Sequence, residues 1–374
     1  MKEINIAKTL TDKRRAKGIT QDELAEFMGV SKASVSKWET GQSYPDITFL
    51  PQLAAYFNIS IDELMDYSPQ MTKEDIRKLY HRLVADFSVK PFDEVMVECR
   101  SVIKKYYGCF PLLLQIANLF INHHMLAKEQ EQREKILRET VLLCERIQTE
   151  SEDVATAKEA ALLKVVCFLA LGEPKSVLDL LGETVRYDMP ERPLISQAYQ
   201  MLGNVDKAKE VIQIDMFLNL MSFFQAGISY VSLCLDDFER AEEAFNRLLE
   251  VAKIYQMETL NPNTMLLLYA LGAQLFLVGG NKEKAIDLLN RYVDVCGIFT
   301  FAMHRDSHFD KIDAWFSELD LGNAAPRSES VIKQSMMRDI LLNPSFSPLT
   351  EEPGYKRVVE KMRELIGGNR NGNY

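Results

Sequence analysis

The stretch TQDELAEFMGVSKASVSKWETG, residues 20–41, constrains the fold of this chain most, because it sets two helices on either side of a three-residue turn. Thr20, followed by Glu23 three residues later, has the pattern of a capping box and predicts a helix start. Ser31 predicts the next start, while Gly29 and Gly41 are placed as left-handed helix ends. A connection of only Gly-Val-Ser forces the two helices to cross steeply.

The two helices are predicted to have distinct inner and outer faces. On the earlier helix the inward residues are Leu24, Ala25 and Met28, and on the later helix Val35 and Trp38, three apart, form the inward pair. The residues left pointing outward on the later helix are short or cationic: Lys32, Ala33, Ser36 and Lys37. A helix with such a face fits the major groove of DNA.

Flanking helices complete a five-helix domain. A first helix begins near Ile6 and stops at Gly18, a fourth follows Pro45 through DITFLPQLAAYF, and a fifth is capped by Ser60. Residues 1–44 carry eight Lys or Arg against six acids, although the whole chain has a net charge of −10. Any contact with DNA is therefore expected at the N-terminal end.

The order and spacing of these positions resemble the XRE (Cro/C1-type, phage-repressor-like) helix-turn-helix family. The resemblance covers roughly residues 4–66 and rests on Gln21, Leu24, Ala25, Gly29, Ser31, Val35, Trp38, Glu39 and Gly41. It implies a sequence-specific DNA-binding transcriptional regulator, often dimeric. Carried over by position, it implies a DNA-binding set in which Gln21 and Thr40 contact phosphate, the outward residues face base edges and Ser34 lies near the backbone; the whole set is Gln21, Ser31, Lys32, Ala33, Ser34, Ser36, Lys37 and Thr40.

Three qualifications belong to this interpretation. Ala33 replaces the longer polar residue often found there, although its methyl group can contact a thymine methyl. Glu39 is predicted to hold a helix end or a neighbouring basic residue, and Trp38 to be core. The alternative is a five-helix bundle that no longer binds DNA and only mediates protein contacts.

From residue 71 onward the pattern is one of repeated helices. Four similar turns occur at 169–181, 200–212, 233–245 and 276–289, each with a small residue at the start of the second helix: Ser176, Ala208, Ala241 and Ala285. Their separations of 32, 33 and 44 residues lie near the roughly 34-residue period of helix–turn–helix repeats. This pattern resembles tetratricopeptide-type (TPR-like) repeats, which implies an α-solenoid with a concave binding face.

Two of these helices carry polar stripes. One has Gln115, Asn118 and Asn122 at i, i+3 and i+7, and the segment MFLNLMSFFQAGISYVS, interpreted as the first helix of a pair, has Asn219 and Ser222. Amides on such a face can hydrogen-bond the backbone of an extended peptide, and these five residues are the predicted ligand-binding set. The alternative is that they are only the solvent face of amphipathic helices.

Other classes of function find little support. No phosphate-binding glycine loop, nucleophile elbow or HExxH occurs; His304 and His308 lack a third ligand, and the six single cysteines are predicted to be buried thiols. The apolar runs fall short of the ~20 residues that span a bilayer, and the N-terminus has no signal-peptide core. We therefore expect a cytoplasmic protein that is not an enzyme, with no cofactor, metal or membrane partner.

The sequence thus predicts an all-α chain in which a five-helix phage-repressor-like helix-turn-helix domain precedes a TPR-like α-solenoid. The expected ranges are 1–66 for the DNA-binding domain, 67–72 for a linker, 73–366 for the repeat domain and 367–374 for a disordered tail. The architecture is similar to that of peptide-responsive bacterial quorum-sensing regulators. It implies a homodimer that binds a double-stranded DNA operator, with repeats that bind a short peptide or other effector; the alternative is a DNA-tethered scaffold that recruits a protein partner.

Overall fold

The structure is a computed structural model that describes residues 5–67, 70–185, 190–298, 308–321, 326–341 and 343–367. All regular elements in these ranges are helical, which confirms the all-α class. The chain divides into two compact units. Unit 1 comprises Met1–Lys78, Phe92–Ile121 and Lys128–Gly172, and unit 2 comprises Leu79–Pro91, Asn122–Ala127 and Glu173–Tyr374.

The described residues form twenty α-helices. The first five are α1 (Ile6–Ala16), α2 (Gln21–Met28), α3 (Lys32–Glu39), α4 (Leu50–Phe57) and α5 (Ile61–Leu64). The next eight are α6 (Lys73–Val89), α7 (Phe92–Lys105), α8 (Phe110–His123), α9 (Gln130–Glu150), α10 (Val154–Ala170), α11 (Pro174–Leu181), α12 (Glu191–Met201) and α13 (Val205–Leu233). The last seven are α14 (Phe238–Ile254), α15 (Met257–Leu260), α16 (Pro262–Val278), α17 (Lys282–Ile298), α18 (Asp313–Glu318), α19 (Glu329–Leu341) and α20 (Pro353–Gly367).

The predicted helix ends of the N-terminal domain are confirmed. The Thr20 hydroxyl accepts a hydrogen bond from the Glu23 amide at 3.2 Å, and the Glu23 carboxylate accepts one from the Thr20 amide at 2.7 Å. The Ser31 hydroxyl caps α3 by accepting from the Ser34 amide at 3.2 Å. Gly41, with φ +73°, ends α3, and the following amide donates to the carbonyl of residue 37 as in a Schellman motif.

The five helices enclose one small core. Its fully buried members are Leu10, Leu24, Val35, Leu53 and Leu64, and the Trp38 ring packs 5.8 Å from the Phe49 ring between centroids. The predicted inward faces of α2 and α3 are therefore confirmed. The fourth helix begins later than predicted, because the Asp46 side chain caps a 3₁₀ turn, Ile47–Phe49, ahead of it.

The predicted tight turns are also present. Gly172, Gly203 and Gly280 each adopt φ near +75° immediately after a helix, where a side chain would strain the backbone. At the starts of the following helices Ala208, Ala241 and Ala285 are buried, while Ser176 is half-buried. The turns lie where the spacing predicted them; their assignment to TPR-like repeats stays a prediction.

The repeat pattern predicted that the segment MFLNLMSFFQAGISYVS is a separate first helix. This prediction is wrong. The segment is the second half of α13, which runs unbroken for 29 residues. No Gly or Pro lies between Val205 and Ala226, so nothing in the sequence interrupts the helix.

By length and composition α13 could also cross a bilayer, contrary to our expectation that no segment is long enough, although core helices of soluble proteins share this composition. In unit 2 its Phe217 and Phe224 are buried in the core.

Two further expectations fall at the edges of the described ranges. The tail was predicted to begin at residue 367, but Gly367 ends α20, and residues 368–374 lie outside the described residues. Residues 68 and 69 of the predicted linker also lie outside them. The rest of the linker is held in place, since Gln70 Nε2 donates to the Gly108 carbonyl at 3.0 Å.

We predict that Gly272→Ala lowers the free energy of unfolding by about 1 kcal/mol, measured by urea denaturation. A Cβ on Gly272 would overlap the buried Phe245 ring and lie 3.0 Å from Leu288 Cδ1. This overpacking costs about 1–3 kcal/mol and outweighs the gain in helix propensity of about 1 kcal/mol. Gly297→Ala is the matched control, because its Cβ would meet only Leu365 at 3.6 Å. Equal effects of the two substitutions would contradict the packing argument.

Candidate nucleic-acid interface

Helix α3 presents the outer face that the sequence predicted. Lys32, Ala33 and Lys37 are exposed and Ser36 is half-buried, whereas Val35 is fully buried on the opposite side of the helix. The fixed orientation comes from the inner face, because Val35 and Trp38 anchor α3 in the five-helix core. Two ammonium groups and two small side chains are thereby held on one surface.

The two lysines differ in their surroundings. Lys32 Nζ lies 2.7 Å from Asp22 Oδ2, with both side chains about 60% exposed. An ion pair this exposed contributes about 0–1 kcal/mol, so a phosphate or a base can displace the carboxylate at little cost. Lys37 Nζ has no ion-pair partner among the residues that the structure describes. The ion pair of Asp22 with Lys32 was not predicted from the sequence. The two residues are ten apart and lie on different helices, so no helical spacing pointed to the pair.

Gln21 is the first residue of α2, and its amide is already partly engaged. Its Nε2 donates to Glu39 Oε2 at 2.9 Å, which leaves one N–H for a phosphate. The same carboxylate accepts a bidentate pair from Arg14, at 2.5 Å from Nε and 2.9 Å from Nη2. The prediction that Glu39 holds a neighbouring basic residue is therefore confirmed. The network ties α1, α2 and α3 together behind the exposed face.

The charge of Glu39 is stabilised although the group is nearly inaccessible. Its side chain is 5% exposed, and that of Arg14 is 13% exposed. Burial raises the pKa of Glu39, but the hydrogen bonds from Arg14 and Gln21 and the charges of Arg14 and Arg15 outweigh it. The pKa is thus held below its ordinary value of 4.5. The hydrogen bond with Glu39 in turn raises the pKa of Arg14.

The remaining hydroxyls of the predicted set make local hydrogen bonds. Ser31 Oγ and Ser34 Oγ lie 2.9 Å apart at the start of α3. Thr40 Oγ1 donates to the Ser36 carbonyl at 2.9 Å, so it must give up this hydrogen bond before it can donate to a phosphate. These groups lie beside the lysines, and their contacts with DNA stay predictions.

The predicted ligand-binding residues have two kinds of environment. Gln115 is buried, and Asn118 and Asn122 on the same helix are half-buried, because α8 is covered on most sides by apolar neighbours. The burial of this part of α8 differs from both alternatives suggested by the sequence, an open polar stripe for a peptide and a solvent-exposed face. Asn219 and Ser222 on α13 are exposed.

A metal site finds no further support in the histidine pair singled out from the sequence. His304 lies outside the described residues, and the ring of His308 packs 5.1 Å from that of Phe309 between centroids. Among the part of the chain that the structure describes, no three His, Cys, Asp or Glu side chains are grouped for a metal ion. Four of the cysteines are buried, and Cys234 and Cys296 are half-buried.

Comparison with known proteins bears on the N-terminal helices. The family model described as helix-turn-helix matches residues 10–64. Residues 10–64 form a helix-turn-helix domain. The chain is similar to part of the HTH-type transcriptional activator BcrR of Enterococcus faecalis, with 34% identity over 74 residues, 18% of this chain and 36% of that protein. It is also similar to the cryptic phage CTXphi transcriptional repressor RstR of Vibrio cholerae, with 36% identity over 61 residues, 16% of this chain and 54% of that protein.

The chain spans between one third and just over half of the length of these relatives. One relative is named an activator and the other a repressor.

Two solved structures align over most of the chain. The apo competence regulator ComR from Streptococcus vestibularis covers 85% of this chain and 98% of its own, at 15% identity and a TM-score of 0.26. Apo ComR from S. thermophilus covers 83% and 98%, with a TM-score of 0.23. At these TM-scores the alignments carry no structural argument.

Proposed function

We propose that this protein is a cytoplasmic, sequence-specific DNA-binding regulator of transcription rather than an enzyme. The observation that carries the proposal is the exposed face of α3 in a complete helix-turn-helix domain. There Lys32 and Lys37 flank small side chains on a helix fixed by a buried inner face. Such a face places cations against phosphates and base edges while the short residues allow close approach to the major groove.

The helical region 73–366 is proposed to dimerise and to bind a short peptide or another effector. One small domain contacts few phosphates, so useful affinity needs two domains held at a fixed separation. A ligand that binds one arrangement of the dimer better shifts the population and changes whether both domains engage together. The exposed amide and hydroxyl of Asn219 and Ser222 are the proposed contacts for a peptide backbone.

The DNA-binding proposal is tested by incubating the full-length protein with sheared DNA of its host genome and sequencing the captured fragments. We expect discrete fragments that share two half-sites about 34–36 Å apart, or a multiple of that distance. Fragments from the promoter of its own gene are a natural result. Capture that reflects DNA concentration alone, with no shared sequence, would overturn sequence-specific binding.

The effector proposal is tested separately from the scaffold alternative. The affinity for a captured fragment is measured by fluorescence anisotropy before and after adding short peptides from the growth medium of the host. A shift in affinity supports an effector-responsive regulator, with a boiled and protease-digested fraction as control. An unchanged affinity, together with a stable protein partner, favours the DNA-tethered scaffold.

A further inference from the structure

Helix α12 in unit 2 leaves an apolar face uncovered. None of its residues is buried, and its outward side chains are long and apolar. Leu194 is 53% exposed, Ile195 45%, Met201 83% and the C-cap Leu202 80%, and Ala198 between them is exposed too. These five residues, the α12 patch, recur at i, i+1, i+4, i+7 and i+8, so they share one side of the helix.

The stretch of sequence that carries the α12 patch lacks charge. From Pro193 to Val205 the chain has thirteen residues with no Asp, Glu, Lys or Arg, although charged residues make up 26% of the whole sequence. An exposed helix face is normally rich in charge. Depletion of charge around an apolar centre is typical of the core of a protein–protein interface.

The opposite side of α12 is firmly attached to α13. Ser196 Oγ donates to the Ala208 carbonyl at 2.9 Å. Arg192 Nη1 pairs with the largely buried Asp215 at 3.0 Å. The two helices are joined by a tight turn at Gly203, φ +77°. The α12 patch is therefore presented on a braced helix hairpin, and its exposure does not come from an unattached segment.

The order of the residues in the α12 patch is palindromic. Read outward from Ala198, Ile195 matches Met201 and Leu194 matches Leu202, with neutral residues between them. A two-fold axis makes each residue meet its mirror position in the partner. Two antiparallel copies of α12 centred on Ala198 would therefore set leucine against leucine and Ile195 against the partner's Met201. The small residue at the centre lets the helix axes approach closely.

We propose that the α12 patch is the dimer interface of this protein and that its occupant is α12 of a second copy, antiparallel about a two-fold axis at Ala198. This inference rests on the dimeric regulator proposed above and names the surface through which that dimer forms.

The size of the surface agrees with this occupant. A standard interface buries about 800 Å² per partner, and homodimer interfaces are about 65% apolar, which requires about 500 Å² of apolar surface. At roughly 100 Å² for each long apolar side chain, the α12 patch supplies about 400 Å². Val205, 50% exposed at the start of α13, adds to it, and the exposed Gln197 and Gln200 provide a polar rim.

The register is tested by a charge swap in the full-length protein. Ile195→Glu and Met201→Lys are each expected to raise the dimer dissociation constant at least tenfold, measured by analytical ultracentrifugation. In the double variant the glutamate introduced at position 195 would face the lysine introduced at position 201 of the other copy. The double variant should therefore dimerise at least tenfold more tightly than the product of the single effects predicts. Leu233→Glu, an equally exposed position at the end of α13, is the matched control and should not change dimerisation.

A cysteine variant tests the same axis without adding charge. Cα atoms facing each other across such a helix pair lie about 3.5–5.5 Å apart, which overlaps the disulfide range of about 4.4–6.8 Å. Mild oxidation of Ala198→Cys should give a covalent dimer within minutes. The wild type, with its six native cysteines, and Ala226→Cys, an exposed alanine on α13, should remain uncrosslinked.

The outcomes separate this inference from the proposed function. A monomeric wild type, or a dimer that both single variants leave intact, would overturn the α12 interface. Loss of thermal stability in the charge variants at unchanged oligomeric state would show that the chain covers this face itself, which also overturns it. Binding to DNA with a single half-site should persist in every α12 variant. Its absence from the wild type would instead contradict the DNA-binding proposal.

Discussion

Replacing Lys32 and Lys37 together by alanine should weaken binding to a captured operator fragment at least about 30-fold at physiological salt, while the fold persists. Each lysine that meets a base edge or a phosphate contributes about 1–3 kcal/mol, and the two lie on one exposed face. The exposed ion pair between Lys32 and Asp22 contributes little to stability, so its loss should not shift the melting temperature measurably. Fluorescence anisotropy against salt concentration, with circular dichroism for stability, measures both effects.

A second lysine pair provides the control for that result. Lys158→Ala with Lys253→Ala removes the same charge from exposed helical positions outside the helix-turn-helix domain. This control should bind DNA as the wild type does. If it loses as much affinity, overall charge rather than the face of α3 drives binding. A loss confined to operator DNA would mean that the lysines read bases, and an equal loss on random DNA would mean that they contact phosphate.

Substitution of Glu39 by glutamine should destabilise the helix-turn-helix domain by about 3–5 kcal/mol. Removing one member of a buried ion pair leaves the other charge without compensation. Here the stranded group would be the Arg14 guanidinium, 13% exposed, and Arg14 and Gln21 would be left with one amide oxygen as their shared acceptor. Urea unfolding followed by Trp38 fluorescence in a Trp315→Phe background measures the domain selectively, because these are the two tryptophans of the chain.

The effect of this substitution should depend on pH. The pKa of Glu39 is lower in the folded protein than in the unfolded chain, so its stabilisation is complete above the unfolded value near 4.5. It is lost as the pH falls through the lower folded pKa. The difference between wild type and variant should therefore shrink below pH 4.5. Glu26→Gln, an exposed acid on α2, is the control; if it costs as much stability, the network is not the cause.

The N-terminal domain could be predicted from sequence because local chemistry determines its boundaries. The capping box at Thr20, the Ser31 cap and the glycine stop at Gly41 each act within three to five residues of chain. Interactions over so few residues depend little on the rest of the fold, so they form in the folded protein as the sequence predicts. The bidentate partner of Glu39 lies 25 residues away on another helix, so only the type of partner, and not Arg14 itself, was predictable.

The helices after residue 70 were predictable in kind but not in detail. Turns predicted from glycine positions, such as those at Gly203 and Gly280, are present in the structure. The continuity of α13 was missed because repeat spacing suggested a break that no glycine or proline enforces. The burial of Gln115 was missed for a different reason. An amide every few residues indicates a polar stripe, but only the packing around α8 determines whether solvent reaches it.

The unbroken course of α13 has a mechanical consequence. A helix of 29 residues is about 44 Å long. Its first turns brace α12 at Ala208 and Asp215, and its middle carries Asn219 and Ser222. Because α13 is continuous, a molecule that tilts its middle must also displace the α12–α13 hairpin at its end. Ligand binding near Asn219 and Ser222 would therefore move α12 without a hinge.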